Sequence, residues 1–280
     1  MSKVNKLIIT IIIGVSSAVV AAETPYVFPQ SVCEKSGVCC NDSVITVPDS
    51  VTSIPDYAFA DCSNLKRIIL PAGLKSIGDY AFLGCESLES ISLPSSLTSL
   101  GEGAFRECSS LKSLVIPNGI TVIPRYLCAW DSCLESVSLP SGIKDIGSHA
   151  FAYCSGLDNI NIPDSVEHIG SNVFSRCFNL KEIMLPSSIK ELESYAFSDC
   201  KSLRRAVLPA NNNLLGEYLF IGCDNLEEIV CESPEPAPFD CGTPFFDPSE
   251  SSRYRKCRLT LLPSAIPLFR TAPIWELFFY

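Results

Sequence analysis

Fifteen cysteines, two histidines and 31 carboxylates are the side chains of this 280-residue chain that could do chemistry. The cysteines suit structural disulfides or a thiolate metal site, and the carboxylates suit a pair of acids set for glycoside hydrolysis. Spacing separates these readings. Cys62, Cys85, Cys108, Cys154, Cys177, Cys200 and Cys223 stand 23 residues apart or, once, 46, and Cys39 lies one period before Cys62. Thiols at a fixed period form a line, and a line is not the tetrahedron that zinc requires. His149 and His168 fall at different points of the period, and no Ser-His-Asp order or Gly-rich phosphate loop accompanies them. We therefore read no catalytic residue, no metal site and no cofactor, and expect a protein that is not an enzyme. The remote alternative is a carbohydrate-active enzyme, which would need carboxylates converging in a groove, whereas the outward strand columns hold only Glu182 and Glu228.

The elements that must position these residues are set by eight prolines: Pro48, Pro71, Pro94, Pro117, Pro140, Pro163, Pro186 and Pro209, each 23 residues after the last. A fixed period of this length marks a solenoid with one coil per period, because no coil can bury a core alone and each must stack on its neighbour. Counting offsets from each proline, offset three is aliphatic from Val51 to Ile189 and broken at Asn212, and offset six is aliphatic from Ile54 to Leu215. Offset eleven is phenylalanine, from Phe59 to Phe220, except at Cys128; offset fourteen is the cysteine column, except at Asp131. Each coil closes on Leu-x-x-Ile-x-Leu, as in Leu88, Ile91 and Leu93, which is the strand pattern of a leucine-rich repeat. Alternation sends Ile91 and Leu93 inward and Ser90 and Ser92 outward, so successive strands pair in parallel. About 15 residues containing prolines, glycines and serines lie between strands, too broken for a long helix.

Units such as LPSSLTSLGEGAFRECSSLKSLVIP resemble the BspA-like, or Treponema-type, leucine-rich repeats of bacterial surface antigens and some protist surface proteins. The resemblance runs over roughly 44–231, and the tail CRLTLLPSAIPLFRTAPIWELFFY is similar to the terminal segment of many bacterial members. It implies surface adhesion, or binding of host or neighbouring-cell proteins, and it carries over no catalytic residue. The expected fold is an α/β solenoid: a leucine-rich-repeat right-handed superhelix with a parallel β-sheet on one face and irregular or short helical segments on the other.

The outward strand columns are the candidate binding face. Offset nineteen offers Arg67, Ser90, Ser113, Ser136, Asn159, Glu182 and Arg205, and offset twenty-one offers Ser92, Val115, Ser138, Asn161 and Met184. Small hydroxyls and amides in the middle suit a wet contact with an extracellular protein or a glycan. Offset eighteen is charged in every coil, with signs alternating from Lys66 through Glu89 and Lys112 to Glu135; neighbouring coils could pair cross-strand, but each exposed pair is worth little and the column reads as a solvated rim that keeps the chain soluble. Coil four breaks the pattern at Cys128, Trp130 and Asp131. Trp130 reads either as an exposed anchor for a partner or as packing that refills the missing phenylalanine's volume.

The cysteine column reads as buried free thiols, since neighbours one sheet spacing apart point the same way. Cys231 is expected to be buried too. Local pairs Cys33 with Cys40, Cys128 with Cys133 and Cys241 with Cys257 are the disulfide candidates, one for each cap and one for coil four.

Residues 1–22 read as a secretory signal: Lys3 and Lys6, an apolar run Leu7–Val20, then Ala21-Ala22 before Glu23. That run is too short to span a membrane, so no span remains after cleavage, and a secreted or cell-surface location is expected. Asn41-Asp42-Ser43 is a glycosylation acceptor in a suitable host. Residues 23–47 form an N-terminal cap, 48–231 the eight repeats and 232–280 a C-terminal cap, whose Phe245, Phe246, Phe269, Trp275, Phe278 and Phe279 supply a lid. A net charge of −10 excludes the basic stripe that nucleic acid would need.

Overall fold

The computed structural model describes residues 42–210, 215–236, 245–246 and 256–279. The signal segment 1–22, Cys33, Cys40, Asn41, Asn212 and Cys241 lie outside the described residues.

Each coil contributes to three walls around one continuous core. The first wall is the expected parallel sheet, hydrogen-bonded in three sections: Val44–Thr46, Arg67–Ile69 and Ser90–Ile91; Ser113–Val115 and Ser136–Ser138; and Glu182–Met184, Arg205–Leu208 and Glu228–Cys231. Pairing is in 23-residue register: Val44 faces Arg67, Ser113 faces Ser136, and Arg205 faces Glu228. A second ladder, which the sequence did not announce as strand, is built from two-residue strands at offsets five and six. It runs from Ser53–Ile54 through Ser76–Ile77 and Asp145–Ile146 to Glu191–Leu192. The offset-six aliphatic column is the buried half of these strands, with Ile54, Ile77, Ile123, Ile146 and Ile169 nearly inaccessible.

The third wall is a chain of turns. Its backbone is also hydrogen-bonded from coil to coil: Tyr57 N–H donates to Asp79 O at 2.9 Å, Phe59 N–H to Ala81 O at 2.8 Å and Asp61 N–H to Leu83 O at 2.7 Å. The chain turns this tightly by entering the left-handed region twice per coil. At offset nine these residues are Tyr57, Tyr80, Gly103, Tyr126, His149, Asn172, Tyr195 and Tyr218; at offset thirteen they are Asp61, Gly84, Glu107, Trp130, Tyr153, Arg176, Asp199 and Gly222. Glycine takes that conformation without a Cβ penalty, whereas the aromatic residues hold it at a cost.

Inside, phenylalanine rings stack along the axis: Phe59, Phe82 and Phe105 at 5.2 and 5.4 Å, then Phe151, Phe174, Phe197 and Phe220 at 5.7, 5.5 and 5.6 Å. Cys128 divides the stack into two runs. At the C-terminal end, Arg258–Leu261 extends the first ladder. Phe245 stacks on Phe220 at 6.0 Å, and Trp275 meets Phe245 and Phe269 edge-on at 5.0 and 4.8 Å. The tail aromatics thus cover the end of the core.

Among the described residues, helix occurs only beyond the repeats, at Lys256, at Ile266–Phe269 and in a 3-10 turn at Trp275–Phe278. The coils are therefore strand and turn: of the irregular or short helical segments expected opposite the sheet, the helical ones are absent among the described residues of the coils, and the second ladder and the turn wall stand there. No helix among the described residues is long and apolar enough to cross a membrane.

Candidate functional site

Twelve of the thirteen candidate binding residues share the outer face of the first wall. Arg67, Ser90, Ser92, Ser113, Val115, Ser136, Ser138, Asn159, Asn161, Glu182 and Met184 are exposed, and Arg205 is half-buried. Parallel pairing sets Ser113 beside Ser136 and Val115 beside Ser138. The result is a flat strip of small side chains in coils two to five, with Met184, Glu182 and Arg205 at one end. Arg205 meets Glu228 at 3.1 Å, and Glu228 also takes Arg258 at 2.9 Å and the Thr260 hydroxyl at 2.7 Å. Those bonds, the one from Thr260 first, hold the Glu228 carboxyl below its ordinary range.

The thirteenth candidate, Trp130, is on a different wall. It occupies the left-handed offset-thirteen position with φ 70°, half-buried, and stacks on Tyr153 at 4.9 Å. The Arg106 guanidinium covers its ring at 4.6 Å. It therefore neither joins the sheet-face residues nor refills the phenylalanine slot. That slot holds Cys128, and Asp131 takes the place of the column cysteine beside it, both fully buried.

The cysteine column works as a row of donors. Each thiol donates to the carbonyl 26 residues earlier: Cys85 to Phe59, Cys108 to Phe82, Cys154 to Cys128, Cys177 to Phe151, Cys200 to Phe174 and Cys223 to Phe197, at 3.0 to 3.2 Å. These six are free and buried, as the spacing predicted; burial pushes the Cys108, Cys177 and Cys200 thiols far above the ordinary thiol range, which makes them unreactive. Cys62 departs from that expectation: it is buried and disulfide-bonded. Cys231 is buried and free, as expected.

The coil-four disulfide is corrected. Cys128 points inward from the phenylalanine column while Cys133 is exposed on the following turn, and both are free. Cys257 is also free and buried. Offset eighteen is an exposed rim in the first coils. Among the described residues, Lys66, Glu89, Lys112 and Glu135 form no ion pair with one another, whereas Lys181 meets Asp158 at 3.5 Å and Arg204 meets Glu227 at 3.6 Å. The long side chains of the first group extend into water, where a pair is worth little.

His149 and His168 lie on separate walls. His149 stacks on Tyr126 at 4.8 Å, and burial, with the charge of Arg125, lowers its pKa. His168 faces Glu191 at 3.4 Å on the second ladder. Among the described residues no group of three or more His, Cys, Asp or Glu is arranged to hold a metal.

The family model for the BspA type leucine-rich repeat region matches residues 35–130 and 121–235, in six copies. The chain belongs to the BspA-type leucine-rich-repeat family. Two solved structures of similar proteins agree. A leucine-rich-repeat protein from Bacteroides ovatus is 31% identical with a TM-score of 0.57, over 79% of this chain and 61% of that one. A leucine-rich cell-surface protein from Faecalibacterium prausnitzii is 27% identical with a TM-score of 0.52, over 69% of this chain and 61% of that one. This BspA-type chain thus spans about three fifths of each of these longer relatives. No functionally curated protein matches it.

The sequence reading missed the turn wall as a surface. Its signal was present at offset nine, where Tyr, Gly, His and Asn alternate in one column. Glycine and asparagine at one repeat position mark a left-handed conformation, and the aromatic residues sharing that position inherit it.

Proposed function

We propose that the chain is a surface-displayed or secreted adhesive module that binds an extracellular protein, from a host matrix or a neighbouring cell, through the outer face of its first wall. The observation that supports this reading is the exposed strip from Ser90 to Met184, with Ser113 and Val115 in parallel register with Ser136 and Ser138 and small side chains in its middle. A rigid solenoid holds such a strip without ordering cost on binding. Membership of the BspA-type family, and the cell-surface description of the Faecalibacterium relative, favour the same role.

In this reading residues 1–22 direct export, 23–47 and 232–280 cap the ends of repeats 48–231, the coil is right-handed, and no catalysis is involved. The test is capture of the purified chain on an array of extracellular-matrix proteins. Ser113→Arg with Ser136→Arg should abolish a saturable signal. Full retention by that variant would remove the sheet face from the proposal.

A further inference from the structure

One junction of the second ladder is not tied like its neighbours. The ladder stops at Ser99–Leu100 and resumes at Val122–Ile123, and these two strands are not paired. At the neighbouring junctions the coils are joined at offset four, where Thr98 N–H donates to Lys75 O and Lys144 N–H to Thr121 O. They are joined again at offset seven, where Gly101 N–H donates to Ile77 O and Gly147 N–H to Ile123 O. Coil four makes neither bond to coil three among the described residues. Its offset-seven residue is Pro124, which has no N–H to give. The gap shows at the surface: Leu100 is half-buried although Ile77 and Ile123 at the same offset are inaccessible, and Val122 is exposed.

A turn of coil four leads into this gap. Ile120 N–H donates to Pro117 O at 3.1 Å, with Asn118 and Gly119 exposed at the centre of the turn. In coils three, six and seven a serine at offset two anchors the same turn to the coil before. Ser96 donates to Leu74 O, Ser165 to Ile143 O and Ser188 to Val166 O, at 2.5 to 2.6 Å. Gly119 has no hydroxyl for the corresponding carbonyl of Leu97, so that anchor is missing too. The Gly119 N–H itself makes no hydrogen bond among the described residues. Asn118-Gly119 is also the one Asn-Gly pair of the chain; every other asparagine precedes a residue with a side chain. Glycine leaves the main-chain nitrogen open to approach, because no Cβ shields it.

We propose that Asn118 is a site of deamidation in the folded chain, made reactive by the missing ties between coils three and four. The Gly119 nitrogen swings to the Asn118 side chain and attacks Cγ, and the untied turn permits that swing without opening the core. A bond forms from Cγ to the Gly119 nitrogen, the bond from Cγ to the side-chain nitrogen breaks, and ammonia leaves with the Gly119 proton. Water then opens the cyclic imide at either carbonyl, and nothing is oxidised or reduced. Opening at Cγ leaves the main-chain path and gives aspartate, which Asp49 and Asp164 already place at this offset. Opening at the main-chain carbonyl gives isoaspartate, whose Cβ enters the main chain and lengthens the coil by one atom. Either product adds a negative charge just beyond the strand Ser113–Val115.

The test incubates the purified native chain in mildly alkaline buffer and follows the tryptic peptide 113–125, in which Asn118 is the one asparagine and glutamine is absent. The peptide should gain the mass difference between an amide and an acid, and should separate into aspartyl and isoaspartyl forms on chromatography. Asn118→Gln should lose that gain. Pro124→Gly returns the missing N–H without changing the reacting residues. Glycine suits this offset because a Cβ on Gly101 would come within 2.3 Å of coil two. Pro124→Gly should slow conversion about fivefold in the folded chain, the opening cost of one added backbone hydrogen bond, and leave the rate in urea unaltered. An unconverted peptide 113–125, after a period in which the urea-unfolded chain has converted, would overturn the site. An equal folded-state rate in Pro124→Gly would overturn the cause assigned to it.

Discussion

Asp131 Oδ1 accepts the backbone N–H of Cys108 at 2.8 Å across one coil, and the carboxyl that does so is fully buried. Its second oxygen, Oδ2, has no partner, at the one column position where a thiol would donate 26 residues back, to the Phe105 carbonyl. A neutral carboxylic acid fills that role and an ionised one cannot. Burial, the largest effect, pushes the Asp131 pKa well above the ordinary carboxyl value. The groups facing it are the thiols of Cys108, Cys128 and Cys154, all themselves raised by burial, and among the described residues the Glu107 charge also raises it.

A pH dependence follows, with its sign set by linkage. The folded state holds this proton and the unfolded state releases it near its ordinary value of about 3.9. Asp131 therefore contributes fully below that value, and its contribution declines as pH rises towards the folded pKa. Asp131→Asn keeps an acceptor and a donor without titrating. It should stabilise the chain at neutral pH and flatten the pH slope in denaturant titrations. The carboxyl carbon shift of Asp131, read by NMR, should report a protonated acid at mildly acidic pH. An ionised signal there would end this account.

Cys128 and Asp131 fill one volume together, so their substitutions should couple. Cys128→Phe alone crowds the Asp131 carboxyl, and Asp131→Cys alone removes a polar bridge while restoring a thiol donor. Both together rejoin the two phenylalanine runs between Phe105 and Phe151. The double variant should exceed the sum of the singles by about 1–3 kcal/mol in a thermodynamic cycle. Simple additivity would show that the two sites do not share space.

Interruption of the stack also ranks the phenylalanines. Phe174 lies between Phe151 and Phe197, at 5.7 and 5.5 Å, whereas Phe105 has a ring partner on the Phe82 side and Cys128 on the other. Phe174→Ala should cost about 3–5 kcal/mol, and Phe105→Ala about 1 kcal/mol less, for want of the second stack. Urea unfolding of the two variants measures this, and the reverse order would refute it.

Thiol accessibility separates Cys133 from the column. It is exposed and free, whereas Cys85, Cys108, Cys154, Cys177, Cys200 and Cys223 are buried. Alkylation of the native chain should modify Cys133 within minutes and the column only after unfolding. A Cys133→Ser variant that labels equally fast would contradict the placement.

Much of the fold was legible because a repeat writes its core in columns. The offset-six aliphatics, the phenylalanines and the Leu-x-x-Ile-x-Leu segments recur in nearly every coil, so one-dimensional spacing carries the information. The second ladder was not legible, since strands of two residues leave no alternation to detect. The sheet-face residues could be grouped because they belong to the strand pattern itself. Trp130 could not be placed, because its side chain direction depends on a left-handed backbone that its own identity disfavours.

The same divide applies to the chemistry. Sequence by itself determined the period, the parallel stacking, the inward columns and the family, because these follow from side-chain burial repeated every 23 residues. Tertiary structure decided what the exceptions mean. Only stacking of one coil on the next brings Arg106 over Trp130 and sets the Asp131 carboxyl against the Cys108 amide. Such contacts join residues 23 or 24 apart across a coil boundary, and their energies depend on the burial and orientation that the folded core imposes.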